Sequence, residues 1–377
     1  DVYKRQRNVI LRLALGGRDD RHGRESLPSA VGVQPSTPWT GMLPFACLRR
    51  DSREAWEGVS SVPLMESPPG PETVIDGIRY LYFGGTSYLG LAAHPGVIAA
   101  GCAAMQRYGV HTATTRARIG SPVLEKLESQ AAAFFGTEEA YVFGRGYLAN
   151  HILVAALAPE VDVVVVDEGA HYCVLEAARG SGRPVASFRP HDAESLREAI
   201  AGRARVLVMA DAVGPVTGVG APLTDYLVIL EGCEQATLLL DDAHGFGVLG
   251  EHGRGFLEEQ GRWDTANGRG PEEAVSVCAC GTLAKALGGF GGLIPGTRSF
   301  VARARNSSHV FDGASAPASA LAGASAEALR IVQGHPSLRA DLQANVRRLR
   351  EGLRALGLDV PEGSTAHLGV GIGSAAE

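Results

Sequence analysis

Lysine is scarce in this chain of 377 residues, and one lysine stands where an amine could act as a nucleophile. Lysine and arginine together number 35, of which only Lys4, Lys126 and Lys285 are lysines. A reaction that needs a deprotonated amine depends on these three, because arginine keeps its proton in proteins. Lys285 lies in CGTLAKALGGFGG, without a carboxylate neighbour in the sequence. Burial would lower the pKa of this amine and suit it to form a Schiff base, whereas the alternative is a surface lysine in a glycine loop.

Two acidic residues and a histidine follow an apolar run in LLLDDAHGFG. A carboxylate such as Asp241 can pair with a protonated ring nitrogen, and His244 can hydrogen-bond a phenolate or carbonyl oxygen. A metal site is a competing interpretation, although D-D-x-H lacks a standard ligand spacing, and a structural turn is a third. His171, in DEGAHYC, follows another apolar run. Its imidazole could stack on a flat cofactor, but an isolated histidine is more often a loop or cap residue.

A glycine-containing turn, GRGYLAN at 144–150, supplies a candidate phosphate site. Gly144 and Gly146 free the backbone, and a helix N-terminus after such a turn binds phosphate. The turn has no GK[ST] and does not complete GxGxxG, so it matches neither nucleotide motif. Thr282 offers a hydroxyl and neighbouring amides to an anion. A phosphate cradle, a stacking ring, an acid and an amine are together the parts that pyridoxal phosphate requires.

The elements that must position these residues alternate between strands and helices. Helical patterns separate the apolar runs, which predicts an α/β fold with a mostly parallel central sheet flanked by helices. Ligands of such sheets lie beyond the carboxyl ends of the strands, where the candidate residues stand. The predicted strands are 140–143, 162–166, 184–188, 205–209, 237–240 and 275–280. The predicted helices are 95–107, 122–135, 146–157, 193–201, 223–233, 318–332 and 337–356.

The sequence predicts three regions. Residues 1–75 are rich in Arg, Ser, Pro and Gly with little periodicity, and the opening DVYKRQ looks like translated adaptor sequence. We therefore expect a poorly ordered or partly artefactual N-terminal extension. Residues 76–315 are expected to form a large cofactor-binding domain. Residues 316–377 are expected to hold a linker helix and an incomplete, smaller C-terminal α/β domain.

Composition and charge argue against several classes of protein. An apolar fraction of 45% is sufficient for a sizeable core, and a net charge of -6 disfavours a nucleic-acid partner. Six scattered cysteines without a CxxC pair favour a reducing compartment, so we expect a cytoplasmic protein. No apolar run is long enough to span a bilayer, and no metal site is predicted.

The motifs resemble those of the α-oxoamine synthases, which are fold-type I pyridoxal-phosphate enzymes with the aminotransferase class I/II fold. The similarity begins at IDGIRYLYFGGTSYLGLAAHP (75–95) and continues through RARIGSPVLEKLE (116–128) to about residue 370. DDAHGFGVLGEHGRG (241–255) and GTLAKALGGFGG (281–292) are its most specific parts, and they occur in the family's order.

The resemblance implies a role for each ring-contacting candidate. Lys285 matches the lysine that forms the Schiff base with pyridoxal 5'-phosphate. Asp241 matches the carboxylate that keeps the pyridine nitrogen protonated, and His244 matches the histidine that bonds the phenolic oxygen. His171 matches the histidine stacked on the ring.

Around the phosphate, the resemblance pairs Gly146 and Tyr147 with the family's Gly-aromatic pair and Thr282 with a phosphate-contacting hydroxyl. The chain departs from the family in the same area. Arg145 stands where the family usually has Ser, and Pro215 stands where it has another Ser. The family's pair that reaches the partner subunit's phosphate is replaced in FDGASAPA by Asp312 and Gly313.

The implied activity is that of a C-acyltransferase that condenses an amino acid with an acyl-CoA, with decarboxylation, to an α-amino ketone. The resemblance also implies a homodimer with shared active sites. An aminotransferase or another fold-type I reaction is the alternative. A non-catalytic partner subunit, of the kind that serine palmitoyltransferase possesses, is disfavoured because such subunits lack the lysine that Lys285 matches.

Overall fold

A computed structural model describes residues 62–270 and 275–370 of the chain. The expected extension therefore lies largely outside the described residues. Within its last part, β1 (Glu72–Ile75) pairs antiparallel with β2 (Ile78–Leu81). The turn between them is Asp76–Gly77, and both residues have positive φ, at 50° and 73°, as the tight turn of a β-hairpin requires. This hairpin belongs to a unit distinct from the one that contains residues 85–371, and the predicted division at residues 75 and 315 stays a prediction.

Seven strands form the central sheet of the second unit, in the order β3-β9-β8-β7-β6-β4-β5. The pairs from β5 across to β8 are parallel, and only β9 runs antiparallel to its two neighbours. The predicted mostly parallel α/β fold is thus confirmed, and the six predicted strands are present as β3 to β8. The strands are β3 (Glu139–Phe143), β4 (Val163–Asp167), β5 (Val185–Phe188), β6 (Arg205–Asp211), β7 (Gln235–Asp241), β8 (Val275–Thr282) and β9 (Gly292–Gly296).

Two apolar cores cover the two faces of this sheet. In β6, Val206 and Val208 pack into one core, while Leu207 and Met209 pack into the other. Successive side chains of a strand point to opposite faces, so a sheet covered on both sides needs apolar residues at every position. This requirement explains why the strands read as continuous rather than alternating apolar runs. Burying each such side chain stabilises the fold by about 1.5–3 kcal/mol.

Helices surround the sheet and begin at recognisable signals. α1 and α2 each begin with proline, whose fixed φ suits the first helical turn. Asp192 caps α5 by accepting a hydrogen bond from the Ser195 amide. The helices are α1 (Pro95–Tyr108), α2 (Pro122–Phe135), α3 (Ala149–Leu157), α4 (Tyr172–Arg179), α5 (Ala193–Ile200), α6 (Leu223–Leu230), α7 (Phe256–Glu259), α8 (Arg298–Asn306), α9 (Ser319–Gly334) and α10 (Ser337–Ala355). Over the described ranges, none of them combines the length and the hydropathy that crossing a bilayer demands.

Candidate active site

The carboxyl ends of β6, β7 and β8 bring the sequence-predicted residues to one edge of the sheet. Asp211 of β6 is in register with Asp241 of β7, and Asp241 is in register with Cys280 of β8. Thr282 ends β8, and Lys285 follows three residues later. The expectation that strand ends would gather the candidate residues is met for these positions, since neighbouring parallel strands end at a common edge.

Asp241 is a buried carboxylate held by three donors. The Asn150 amide nitrogen donates to its Oδ2 at 2.7 Å, the Cys173 thiol lies 3.5 Å from the same oxygen, and the Ala243 amide donates to Oδ1 at 3.0 Å. Hydrogen bonds of this kind stabilise the ionised form of a carboxyl group. Asp241 is therefore a fixed, negatively charged acceptor, which is what a protonated ring nitrogen needs as its partner.

Asp211 is a second buried carboxyl group beside Asp241, and its pKa is shifted. Burial, and next the nearby Asp241 charge, raise the pKa of Asp211 well above its usual range. Its Oδ2 accepts a hydrogen bond of 2.6 Å from the His171 amide. Two neighbouring buried carboxyl groups do not both ionise readily, and the raised pKa of Asp211 favours its protonated form.

Lys285, His244 and Tyr88 form a hydrogen-bonded chain. The Lys285 amine lies 2.8 Å from His244 Nε2, and the Tyr88 hydroxyl lies 2.7 Å from His244 Nδ1. Burial lowers the pKa of Lys285, while burial and then the Lys285 charge lower the pKa of His244 to about 2. Because a neutral imidazole has one N–H, it donates at one end of this chain and accepts at the other. The arrangement can hold and move a proton at the Lys285 amine.

The buried neutral state of His244 gives a testable pH dependence. Between pH 6.5, the usual histidine value, and about 2, the unfolded chain binds a proton at His244 that the folded chain does not. The folded state therefore loses stability as pH falls. Relative to a His244→Phe variant, the wild-type free energy of unfolding is expected to drop by about 1.4 kcal/mol in total between pH 7.5 and 5.5, most of it below pH 6.5. Urea unfolding of both cofactor-free proteins at pH 7.5, 6.5 and 5.5 measures this, and a pH-independent difference would contradict it.

His171 caps helix α4. Its Nδ1 accepts a hydrogen bond from the Cys173 amide at 3.3 Å and lies 3.0 Å from the Cys173 thiol. An Nδ1 that accepts leaves the proton on Nε2, and burial lowers the pKa of the ring. The structure thus shows the cap role that the sequence left open. The stacking role implied by the resemblance stays a prediction.

The glycine turn and Thr282 approach each other closely. A Cβ on Gly146 would lie 2.8 Å from the Cβ of Thr282. The Thr282 hydroxyl donates to the Gly291 carbonyl at 2.8 Å and accepts from the Ala284 amide at 3.0 Å. To donate to a phosphate, this hydroxyl must give up its bond to Gly291. The predicted helix at 146–157 also needs correction, because Gly146 opens a 3-10 turn and the α-helix begins only at Ala149.

Gly146 and Gly144 form a matched pair for a stability test. The Cβ of alanine at position 146 must displace Thr282, whereas nothing lies within 4 Å of a Cβ at position 144. We expect Gly146→Ala to lower the free energy of unfolding by about 1–3 kcal/mol and to weaken cofactor binding. Gly144→Ala is expected to leave the stability nearly unchanged. Urea unfolding and cofactor titration of the two variants measure the effects, and equal stabilities would show that the approach to Thr282 is unimportant.

The remaining predicted positions lie around this turn or away from it. Tyr147 is 39% exposed, and its hydroxyl donates to Glu176 at 2.6 Å. Arg145 is exposed directly before Gly146. Asp312 is exposed and lies 3.1 Å from His309, and Gly313 next to it is also exposed. Pro215 is half-buried in the turn after β6.

Asn150 and Tyr88 are among the contributors to the site that sequence reasoning missed. Asn150 is fully buried and joins Asp241 to the Cys280 thiol, which lies 3.7 Å from its side-chain oxygen. Its position at the end of GRGYLAN, on the first turn of α3, was the available signal. Tyr88 lies in TSYLGL, within the segment that carries the resemblance, but its contact with His244 spans 156 residues. As for the metal alternative, no group of three or more His, Cys, Asp or Glu side chains in the described ranges is arranged so that it could hold a metal ion.

Comparison with known proteins identifies the family. Residues 80–376 match the family described as aminotransferase class I and II. The chain is 39% identical over 302 residues to 8-amino-7-oxononanoate synthase of Methylococcus capsulatus, covering 78% of this chain and 74% of that one.

Solved structures agree with this match. Serine palmitoyltransferase of Sphingomonas wittichii has a TM-score of 0.73 at 28% identity, covering 86% of this chain and 81% of that one. The enzyme of S. paucimobilis, solved with a bound PLP–myriocin aldimine, has a TM-score of 0.72 at 26% identity, with 85% and 79% covered. The chain therefore belongs to the aminotransferase class I and II family and, within it, to the α-oxoamine synthases.

Proposed function

We propose that this enzyme uses pyridoxal 5'-phosphate to condense an amino acid with an acyl thioester. The observation that carries the proposal is the half-buried Lys285 amine, bonded to a neutral His244 near the Asp241 carboxylate. The relatives named 8-amino-7-oxononanoate synthase and serine palmitoyltransferase support the same class of reaction.

The donor set at the sheet edge fits this cofactor. Asp241 offers a fixed anion to a pyridine nitrogen. Lys285 offers an amine, and burial lowers the pKa of that amine. The absence of a Cβ at Gly146 lets the backbone of the glycine turn approach Thr282 closely, and the Thr282 hydroxyl could there contact a phosphate group. When bound, pyridoxal 5'-phosphate withdraws electrons from the α-carbon of an amino acid joined to it. We infer that Lys285 holds the cofactor, that His171 packs on its ring, and that Tyr147 borders its phosphate.

In this proposal, Asp241, Lys285 and His244 have separate chemical roles. Asp241 holds a proton on the ring nitrogen, because a fixed carboxylate stabilises the positive charge there. Lys285, once its amine is free, removes the α-proton of the substrate, and the lowered pKa keeps a larger share of that amine deprotonated. His244 bonds the phenolic oxygen of the ring. Asp241 and His244 are buried and Lys285 is half-buried, and the limited access of water strengthens the electrostatic contacts among them.

The finer features of the reaction are part of the proposal. We infer decarboxylation, an acyl-CoA as the thioester, and an α-amino ketone as the product. We also infer a homodimer in the cytoplasm with active sites shared between subunits. The resemblance of the motifs supports the reaction and the dimer, and the names of the relatives support the reaction alone. The inference of a cytoplasmic protein is supported by the scattered cysteines.

Transamination on the same cofactor is the second candidate function, and the family match to aminotransferases favours it. Both reactions use a lysine amine, a carboxylate that pairs with the ring nitrogen and a phosphate site, so the presence of these groups does not distinguish one reaction from the other. The retained Lys285 argues against a non-catalytic subunit.

An assay of thiol release separates the two reactions. The cofactor-loaded enzyme is incubated with glycine, alanine or serine and with acyl-CoA substrates of increasing chain length. We expect free CoA to appear only when both substrates are present. Formation of a keto acid without CoA release would establish transamination instead. Light scattering measures the proposed dimer, which a solution mass equal to one chain would contradict.

A further inference from the structure

His367, which follows helix α10 in the chain, packs against His244 in the candidate site. The centroids of the two rings lie 4.3 Å apart, and His367 also stacks on Tyr88 at 6.3 Å with an interplanar angle of 6°. Tyr88 and Lys285 already engage both nitrogens of His244. His367 therefore covers His244 where hydrogen bonds do not.

The orientation of the His367 ring is fixed by one hydrogen bond. Its Nε2 donates to the Gly214 carbonyl at 3.0 Å, so this nitrogen carries the proton. Its Nδ1 is buried and has no hydrogen-bond partner among the described residues. A second proton on Nδ1 would have no acceptor. Burial also lowers the pKa of the ring, so both effects favour the neutral form. His367 is thus a neutral ring with a defined orientation.

A buried arginine holds the segment that carries His367. Arg350 of α10 is 3% exposed, and its Nη2 donates to the Thr365 hydroxyl at 2.8 Å and the Thr365 carbonyl at 3.2 Å. Its Nη1 donates to the Pro361 carbonyl. Within the described ranges no carboxylate forms an ion pair with Arg350. Its Nη1 and Nη2 bond to neutral oxygens of this one segment, and its buried Nε has no partner among the described residues. Such a cation is costly to bury, and its acceptors are therefore strongly constrained in position.

The turn after β6 also forms hydrogen bonds with the segment that carries His367. The Thr365 hydroxyl donates to the Gly218 carbonyl at 2.7 Å, and the Gly369 amide donates to the Thr217 carbonyl at 3.2 Å. Gly218 has φ of +70°, and a Cβ there would clash with the His367 carbonyl. The turn and the segment are thus in backbone contact, which leaves the His367 ring little freedom to move.

We propose that His367 is a positioning residue that acts through His244 by excluding water from the His244–Lys285 pair, and that Arg350 holds it there. The inference rests on the proposed function only for the use made of the Lys285 amine. Water admitted at this place would solvate the charged amine and favour its protonated form. The other titratable groups that face Lys285 come from β6, β7 and the segments beside α4 and after β7: Asp211, Asp241, Asp242, His244, His171 and Cys173.

The test measures the Lys285 amine directly in cofactor-free protein. Trace acetylation with acetic anhydride is followed from pH 6 to 11 by peptide mass spectrometry, which resolves the three lysines easily. The pH midpoint for Lys285 reports its protonation independently of how readily the reagent reaches it. We expect His367→Ala to raise this midpoint by about one pH unit. His367→Phe, which keeps a ring over His244, is expected to leave it unchanged.

Arg350 is tested against a neighbour on the same helix. Arg350→Met is expected to raise the Lys285 midpoint as His367→Ala does, whereas Arg348→Met, at an exposed position, is expected to have no effect. Thermal melting establishes that each variant is folded. If His367→Ala does not fold, His367→Asn carries the same expectation. An unchanged midpoint in a folded His367→Ala or His367→Asn protein overturns the proposal. Because no substrate is used, that result leaves the proposed condensation undecided.

Discussion

Replacing Lys285 with alanine is expected to lower the rate of CoA release by on the order of 10³-fold or more, since the proposed cofactor attachment and the proposed proton removal both depend on its amine. The surroundings of the amine support this expectation. The amine lies 2.8 Å from His244 Nε2, and no carboxylate in the described part of the chain forms an ion pair with it. The measurement compares the initial rates of the two proteins at saturating amino acid and acyl-CoA.

The same experiment contains its control. Lys126 is exposed on α2, so Lys126→Ala is expected to keep the wild-type rate. Borohydride reduction of the loaded wild-type protein is expected to fix the cofactor on the peptide that contains Lys285, and mass spectrometry identifies that peptide. A Lys285→Ala protein with full activity would rule out the proposed mechanism.

Asp241→Asn is expected to reduce the rate by about 10²–10³-fold, the usual effect of removing one group that stabilises developing charge. The amide has nearly the shape of the carboxylate but carries no negative charge to hold a proton on the ring nitrogen. The structure supports this emphasis on charge, because Asn150, Cys173 and Ala243 all point donors at Asp241. Steady-state rates and the absorption spectrum of the bound cofactor measure the effect.

Asp242 provides a matched control for this substitution. It is fully buried and adjacent in sequence, and burial raises its pKa well above the usual range. A carboxyl group whose pKa is raised carries less charge at neutral pH, so it loses less when an amide replaces it. Asp242→Asn is therefore expected to stay within about threefold of the wild-type rate, which corresponds to less than 1 kcal/mol. Equal losses in the two variants would show that shape rather than charge matters at Asp241.

The sequence predicts the sheet well where both faces of a strand are buried. Runs such as VDVVVV and ATLLLD are apolar at nearly every position, which is the pattern expected of a strand that is buried on both faces. It does not predict β9 (Gly292–Gly296), because GLIPG contains two glycines and a proline, which normally disfavour strands. The antiparallel pairing of β9 between β3 and β8 overrides that local preference.

The site is predictable to the extent that it stands at strand ends. Asp241 and Lys285 follow apolar runs, so sheet topology alone brings them to one edge. The contacts of Tyr88 and His367 with His244 depend on how distant segments fold back, and no local pattern signals them. Arg350 illustrates the same limit, since an arginine in an amphipathic helix is expected to face water.

The long sequence separations within the site have a consequence for how the protein matures. Tyr88 meets His244 across 156 residues, Asn150 meets Asp241 across 91, and His367 meets Gly214 across 153. Contacts of this kind form late, because the entropy of closing large loops is lost before the contacts compensate for it. During synthesis, the complete set of contacts requires the ribosome to have released the chain as far as His367. Binding of the cofactor in the native site would then coincide with the end of folding, and the appearance of its visible absorbance would report when folding is complete.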